Sequence, residues 1–574
     1  MGYVVRRQIP STSPAQAAVI GGVKARADSG LPPSRGDPWL TGALLVLLCI
    51  PWLNPISNGP SPAVQPWLVT AVCCVLSWWF RSSLSASAVA ASWMLAALVS
   101  ATIGVLQYFG LTQGMSPWVN AATIGEAFGN LRQRNQFATL MSIGLVALLG
   151  MMALRAKPEV TATGGRAGDG ELPSVIGAPP RWASTAAVLL ALGNAASNSR
   201  TGAIQWFLIA AMVWGWDRLV RHLQAETAVT EKDCILWASW RHAMMLAVQA
   251  LLAYTVAVLA LPYLLMLVTG ASRGGLFERF ADASGCSSRK ILWSNVLTLI
   301  AQKPWLGWGW GELDYSHYTN LYEGPRFCDI LDNAHNLPLH LAVELGIPVA
   351  LLVCGGFSCW VWRQRPWRET DPTRQMAWGV LAVILLHSML EYPLWYGPFQ
   401  MAFWICIAML WRGGQTFKSP PGDQIRASNS LLVSVLRTAS AMVFIAMLAY
   451  VAIDYHRVSQ IYLVPQERSA AYREDTLAKI RGSWLFRNQV RFAELLMTPL
   501  TRDNAQWTFD TATTLLHFSP EPRVIEKVIE SAVMLGNDSE ALAHLARFKA
   551  AFPEDHARWA KRNGQQLAGL QLQR

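Results

Sequence analysis

The chain has 574 residues, 52% of them hydrophobic and 14% charged, with 27 tryptophans and a formal net charge of +11. Soluble domains carry about a quarter of their residues as charges, so this composition excludes most soluble enzymes and points to a polytopic membrane protein. The positive balance does not call for a nucleic-acid partner, because most Lys and Arg fall in alternate loops between apolar stretches, where they set orientation.

Residues 1–38 hold Arg6, Arg7, Lys24, Arg26 and Arg35 among Ser, Pro and Gly. They read as a disordered cytoplasmic tail rather than a cleavable leader. Apolar stretches then predict eleven spans, at 39–57, 63–80, 84–108, 136–154, 183–197, 202–217, 243–269, 337–362, 375–391, 398–411 and 430–453. The fifth and sixth are short and could form one broken hairpin, so the count is about eleven to twelve. With the N-terminus inside, Arg81, Arg155, Lys157, Arg166, Arg181, Arg218, Arg221, Lys232, Arg241, Arg363, Arg365, Arg368, Arg374, Arg412, Lys418 and Arg426 all fall on the inner side. The C-terminal segment then lies outside. Residues 158–180 read as a flexible inner loop.

The fold class is therefore all-α: a helix bundle over 39–453, a long outer loop at 270–335, and a helical soluble domain at 454–574. That last segment shows helical apolar periodicity in Val524, Ile525, Val528 and Ile529, and again in Ala541, Leu542, Leu545 and Phe548. It loosely resembles tetratricopeptide hairpins without a clear repeat. It reads as a protein-binding module or as a stabilising cap.

Several outer segments are cationic against the orientation rule. They hold Arg132 and Arg134, then Arg200, then Arg273, Arg279, Arg289, Lys290, Lys303 and Arg326. Cations in that place call for an anionic partner; local pairing with Glu126, Glu278, Asp282 or Glu312 is the alternative. Arg suits a diphosphate better than Lys, because its planar fork binds oxygens in pairs. Gly129-Asn130-Leu131-Arg132-Gln133-Arg134-Asn135-Gln136 puts amide and guanidinium donors where a span begins, which exceeds what a cap needs. Ser197-Asn198-Ser199-Arg200-Thr201-Gly202 interrupts an apolar stretch, and its arginine suits an anion in a polar cavity or a simple hairpin turn. Arg289-Lys290-Ile291-Leu292-Trp293 begins an amphipathic helix. The run Lys303-Pro304-Trp305-Leu306-Gly307-Trp308-Gly309-Trp310-Gly311 offers indole faces to a sugar or to the membrane interface.

Asp332-Asn333-Ala334-His335-Asn336 turns straight into an apolar helix and places an imidazole at the mouth of the bundle. Such a group suits a base at neutral pH; helix capping is the plain alternative. His387 and Glu391 share a helix face, with Tyr392 and Tyr396 around Pro393, as either a second polar wall or a kinked helix end. Cys286 and Cys328 share the long loop and are disulfide candidates if that side is oxidising. No metal site and no cofactor are expected. His335 and His340 are five apart, a poor spacing for two ligands on one helix, and the first outer loop, Asn54 to Ala63, has no carboxylate.

Gln133-Arg134-Asn135, Ser199-Arg200-Thr201-Gly202, Arg289 with Trp293, Pro304-Trp305-Leu306-Gly307-Trp308-Gly309, Asn333-Ala334-His335-Asn336 and His387-Ser388-Met389-Leu390-Glu391-Tyr392-Pro393 together resemble the O-antigen ligase/polymerase superfamily, and its bacterial protein O-oligosaccharyltransferases, or pilin-glycosylation ligases, in particular. Arg134 departs from the proline expected in many relatives. The resemblance implies a fold like the metal-independent C-type glycosyltransferases, in the inner membrane of a Gram-negative bacterium. It implies transfer of a glycan from undecaprenyl diphosphate to a Ser or Thr hydroxyl of a pilin or other exported protein on the periplasmic face. Arg200 and Arg289 would then hold the diphosphate, assisted by Arg132 or Arg134. His335 would be the general base, or a diphosphate ligand, oriented by Asn333 and Asn336. Gln133, Asn135, His387, Glu391, Tyr392 and Tyr396 would line the glycan or acceptor cleft, and Trp308 would stack on sugar. Competing expectations are an O-antigen ligase acting on lipid A-core, an O-antigen polymerase, a lipid-linked glycan transporter and an envelope assembly protein.

Overall fold

A computed structural model describes residues 38–80, 84–155, 179–226, 231–272, 285–411 and 427–572. The predicted tail, most of the 158–180 loop, and Arg273, Glu278, Arg279 and Asp282 lie outside these residues. The described chain is helical, without a strand. Its first part runs α1 Pro38–Leu53, α2 Val64–Trp79, α3 Ala86–Tyr108, α4 Arg134–Arg155, α5 Arg181–Ala196, α6 Arg200–Glu226 and α7 Glu231–Thr269. The long loop contributes α8 Arg289–Gln302 and α9 Leu313–Thr319. Then come α10 Leu337–Leu345, α11 Ile347–Ala350, a π turn Leu351–Gly355, α12 Gly356–Gln364, α13 Pro372–Ser388, α14 Gly397–Trp411 and α15 Ala427–Ser459. Six helices end the chain, α16 Thr476–Ile480, α17 Arg487–Met497, α18 Ala505–Leu516, α19 Pro522–Met534, α20 Asp538–Ala551 and α21 Pro553–Leu572.

By length and composition, Ala86–Tyr108, Arg134–Leu154, Arg241–Thr269 and Val433–Tyr462 can cross a membrane, and Trp39–Leu53, Val64–Trp79 and Gly397–Trp411 are shorter apolar helices. The predicted span 337–362 is one apolar stretch in sequence but is broken in space. Gly346 takes φ +88, and a Cβ there would collide with the backbone of Trp305. Ile347 N also donates to Pro304 O at 2.8 Å, so the loop is stitched into the break. The predicted span 375–391 begins at Pro372, capped by Asp371, and its helix ends at Ser388, which leaves Glu391 in a turn beyond it.

α4 lies at the centre of the bundle, with Phe137, Leu140, Met141, Ile143 and Ala147 fully buried. Its Gly144 lets α3 and α5 close on it, since a Cβ would meet Ala97 and Leu190. A second core joins Leu292, Val296 and Leu299 of α8 to Leu331, Ala334, Leu341 and Val343. Val524, Ile525, Val528, Ile529 and Phe548 form the core of the last helices, and Tyr318 of the long loop packs into it. Leu542, by contrast, is 65% exposed. The final domain also rests on the first loop, where Tyr455 Oη donates to Asn58 O at 2.8 Å.

Candidate active site

Three helices begin at one cleft of about 800 Å³, and each begins with an arginine: Arg134 on α4, Arg200 on α6 and Arg289 on α8. Gln133, Asn135, Asn198, Ser288, Lys290, Trp293 and Glu391 complete most of the lining. Among the described lining residues, Arg134, Arg200, Arg289 and Lys290 are the cations and Glu391 the carboxylate, and Arg134 also lies 3.8 Å from Glu126. Helix N-termini add partial positive charge and unpaired N–H groups, so the cleft is built for an anion with several oxygens.

Each arginine is placed by a local device. Arg132 takes φ +61 just before α4, and Asn198 takes φ +50 in the tight turn between α5 and α6. Non-glycine residues occupy that region at a cost, and such residues gather at functional sites. Ser199 Oγ caps α6 by accepting from Gly202 N at 3.1 Å and donates to Asn135 Oδ1 at 2.7 Å, tying two of the helix starts together. Ser288 caps α8.

Glu391 is the hub of the site. Its carboxylate accepts from Arg289 and from Asn135 Nδ2 at 3.2 Å, and His335 Nδ1 lies 2.5 Å from it. Gln133 Nε2 stands at 3.5 Å. Burial raises the Glu391 pKa, but the His335 hydrogen bond and the charges of His335, Arg289 and His387 outweigh it and hold the group below its usual range. His335 is strained at φ +50, with its N–H donating to Asn333 Oδ1 at 2.8 Å. Asn336 caps α10 through Leu339 N and donates to Met389 O at 3.0 Å. Trp293 Nε1 donates to Ala334 O at 3.1 Å, so α8 and the His335 segment are joined directly. With Nδ1 committed to Glu391, Nε2 is the nitrogen left for proton transfer. The ring meets Tyr392 edge-on with centroids 4.9 Å apart, and Tyr392 stacks with Tyr396 at 5.8 Å.

Of the residues expected at the site, Gln133, Arg134, Asn135, Arg200, Arg289 and Glu391 come together in the cleft lining. His335 is outside that lining but bonds to Glu391 within it, and Asn333 and Asn336 hold the His335 segment. Arg132 is a correction: its guanidinium donates to Pro55 O at 2.6 Å and Ser57 O at 2.9 Å, so it ties the first loop and does not face the cleft. Trp308 is another. Its Nε1 donates to Leu299 O at 2.9 Å, Lys303 covers one face of its ring at 3.9 Å, and it is not in the cleft lining. His387 is fully buried, with Nδ1 3.0 Å from Thr139 Oγ1, inside a polar column that continues to Gln205 and Ser142. Its carbonyl accepts from Glu391 N at 2.8 Å, so it supports the turn that carries Glu391. Tyr392 packs on His335 and Tyr396 on Tyr392, and neither is in the cleft lining. Sequence reasoning missed Glu391 as the partner of His335; a carboxylate at the end of a span, among outer arginines, was the available signal. Cys286 and Cys328 are joined by a disulfide with Cα atoms 5.5 Å apart.

Residues 127–149 match the protein glycosylation ligase family, 185–354 the O-antigen ligase family, and 375–566 the C-terminal part of the virulence factor membrane-bound polymerases. These segments carry, in order, Gln133 to Asn135; then Arg200, Arg289 and His335; then Glu391. Across these three separate segments the chain is similar to the O-antigen ligase and protein glycosylation ligase families. It is also similar to a general O-oligosaccharyltransferase of Acinetobacter baylyi, with 25% identity over 205 residues. That similarity covers 34% of this chain and 36% of the relative, so the chain spans about a third of that relative's length.

Proposed function

We propose that this chain is a member of the O-antigen ligase superfamily and transfers a preassembled glycan from undecaprenyl diphosphate to Ser or Thr hydroxyls of a pilin or another exported protein. The observation that carries the reading is one cleft holding three helix-initial arginines beside the bonded pair His335 and Glu391. Arg200, Arg289 and Arg134 neutralise the diphosphate. The acceptor hydroxyl gives its proton to His335 Nε2, and its oxygen attacks the anomeric carbon from the face opposite the diphosphate. The bond from that carbon to the phosphate oxygen breaks, lipid diphosphate leaves, and the configuration inverts. Glu391 holds the imidazole and balances the charge that forms on it. The guanidinium groups supply the neutralisation, so the reaction as drawn needs no metal. In this reading the protein sits in the inner membrane with its N-terminus in the cytoplasm. The tail is residues 1–38, the membrane domain 39–453, and the cleft and the 454–574 domain are periplasmic.

The match of residues 185–354 to the O-antigen ligases favours a second reading, with lipid A-core as acceptor. A cell supplying a lipid-linked oligosaccharide, with pilin and lipid A-core as rival acceptors, separates the two. Glycan on pilin with wild type and none with an equally expressed His335→Ala variant supports the protein-transferase reading. Glycan on lipid A-core alone supports the second. Unchanged transfer by the variant removes His335 from the mechanism.

A further inference from the structure

The start of α8 carries Arg289, and a covalent link lies just before it. Cys286 lies three residues before Arg289, and Cys328 lies seven residues before His335. Their disulfide closes a separation of 42 residues and is exposed to solvent at both ends. Next to it, Ser287 Oγ donates to Asp329 Oδ2 at 2.8 Å.

The body of α8 has its own ties to the same segment. Asn295 Nδ2 donates to Pro325 O at 3.0 Å, and Asn295 Oδ1 accepts from Phe327 N at 2.8 Å. Trp293 Nε1 reaches Ala334 O. These act one to two turns beyond Arg289. The first turn itself has a long cap bond, Ile291 N to Ser288 Oγ at 3.4 Å, and the Arg289 pair with Glu391. First turns fray when they are not held. His335 has separate supports in Asn333, in Glu391 and in the Asn336 cap.

We infer that the Cys286–Cys328 disulfide is a positioning device for Arg289, so that its reduction weakens binding of the lipid diphosphate donor while the His335 chemistry stays in place. The inference rests on the proposed transferase reading for the identity of the donor. Loss of an ordered arginine on a diphosphate corresponds to about a tenfold change in affinity.

The test uses the full chain reconstituted in vesicles, as wild type and as a Cys286→Ser, Cys328→Ser double variant, each with and without a phosphine reductant. Reduction at both cysteines is verified by the mass added on maleimide labelling. Transfer kinetics are measured with a lipid-linked oligosaccharide, and binding with undecaprenyl diphosphate alone. The expected result is a donor KM and an undecaprenyl diphosphate Kd raised about tenfold in the double variant and in reduced wild type. The kcat at saturating donor stays within about twofold, and reductant leaves the double variant unchanged. Unchanged KM and Kd in verified reduced protein overturn the inference. So does a fall in kcat alone with a lowered Tm, which is what a merely structural crosslink gives. If oxidised wild type transfers nothing, the transferase reading fails, and the redox dependence of undecaprenyl diphosphate binding still decides the positioning role.

Discussion

Replacing Glu391 by Gln removes one charge and leaves nearly the same shape. The carboxylate is only 7% exposed and pairs with His335, which is 17% exposed, and with Arg289, which is 35% exposed. A hydrogen bond to a charged group contributes about 1.5–3 kcal/mol. The Arg289 bond is discounted toward about 1 kcal/mol or less, because solvent screens it. The His335 bond is the one that strengthens as the imidazole takes up a proton. Losing the balancing charge there should raise the barrier by about 3 kcal/mol, just over a hundredfold in kcat. The donor KM should not rise, because Arg289 is released toward the diphosphate. Single-turnover transfer at saturating donor, read as the shift of the acceptor on a gel, measures this directly. A Glu391→Gln protein with kcat within about threefold of wild type would refute the pairing as a catalytic device. The pH dependence has a definite sign. The Glu391 pKa is held below its ordinary 4.5, so the contribution of the ionised carboxylate is fully present above that value and is lost as pH falls through the lowered one. A drop in wild-type activity between about pH 5 and 8 is therefore assigned to another group.

Arg200→Lys and Arg289→Lys should each raise the donor KM about tenfold, since an ammonium cannot bind two oxygens in a fork; equal KM values would remove these residues from the diphosphate site. Arg132→Ala should lower Tm through loss of its bonds to Pro55 and Ser57 and leave donor KM unchanged, and a KM shift without a Tm shift would place Arg132 at the donor site instead. Asp314 in the long loop is pushed up to about 7, chiefly by burial, so its protonated form favours the fold below the ordinary value of 3.8 and that contribution is lost as pH rises through about 7. Asp314→Asn should therefore raise Tm at pH 8 and flatten its dependence on pH, which a thermal melt series checks. Tyr318→Phe leaves His544 Nδ1 without its partner at 2.8 Å and should destabilise the docking of the final domain by about 1–3 kcal/mol, visible as earlier exchange of amides in α20.

Periodicity, apolar runs and charge were enough to read an all-helical chain with apolar membrane-length segments, because those signals are local. The arginines and His335 stood out as candidates for a similar reason. A cation or an imidazole beside an apolar run has few structural uses, so residue type and place already narrow the chemistry. Direction was not legible. Arg132 and Arg134 are two apart in one polar run, yet a left-handed turn at Arg132 sends one guanidinium to the first loop and leaves the other on the cleft. Trp308 looked available in a glycine-rich run, but the tertiary path puts Lys303 on its face. A single apolar stretch at 337–362 masked the break at Gly346, against which the backbone at Trp305 passes.

Sequence alone determined which residue types stand at the ends of apolar helices and hence that an anionic substrate was expected there. Only the tertiary structure decided that the starts of α4, α6 and α8 share one cleft and that Glu391, 56 residues from His335, is its partner. The reason is physical: helix periodicity is encoded by near neighbours, whereas the meeting of helix ends follows from how small residues such as Gly144 and Ala97 let helices pack, and no local pattern records that.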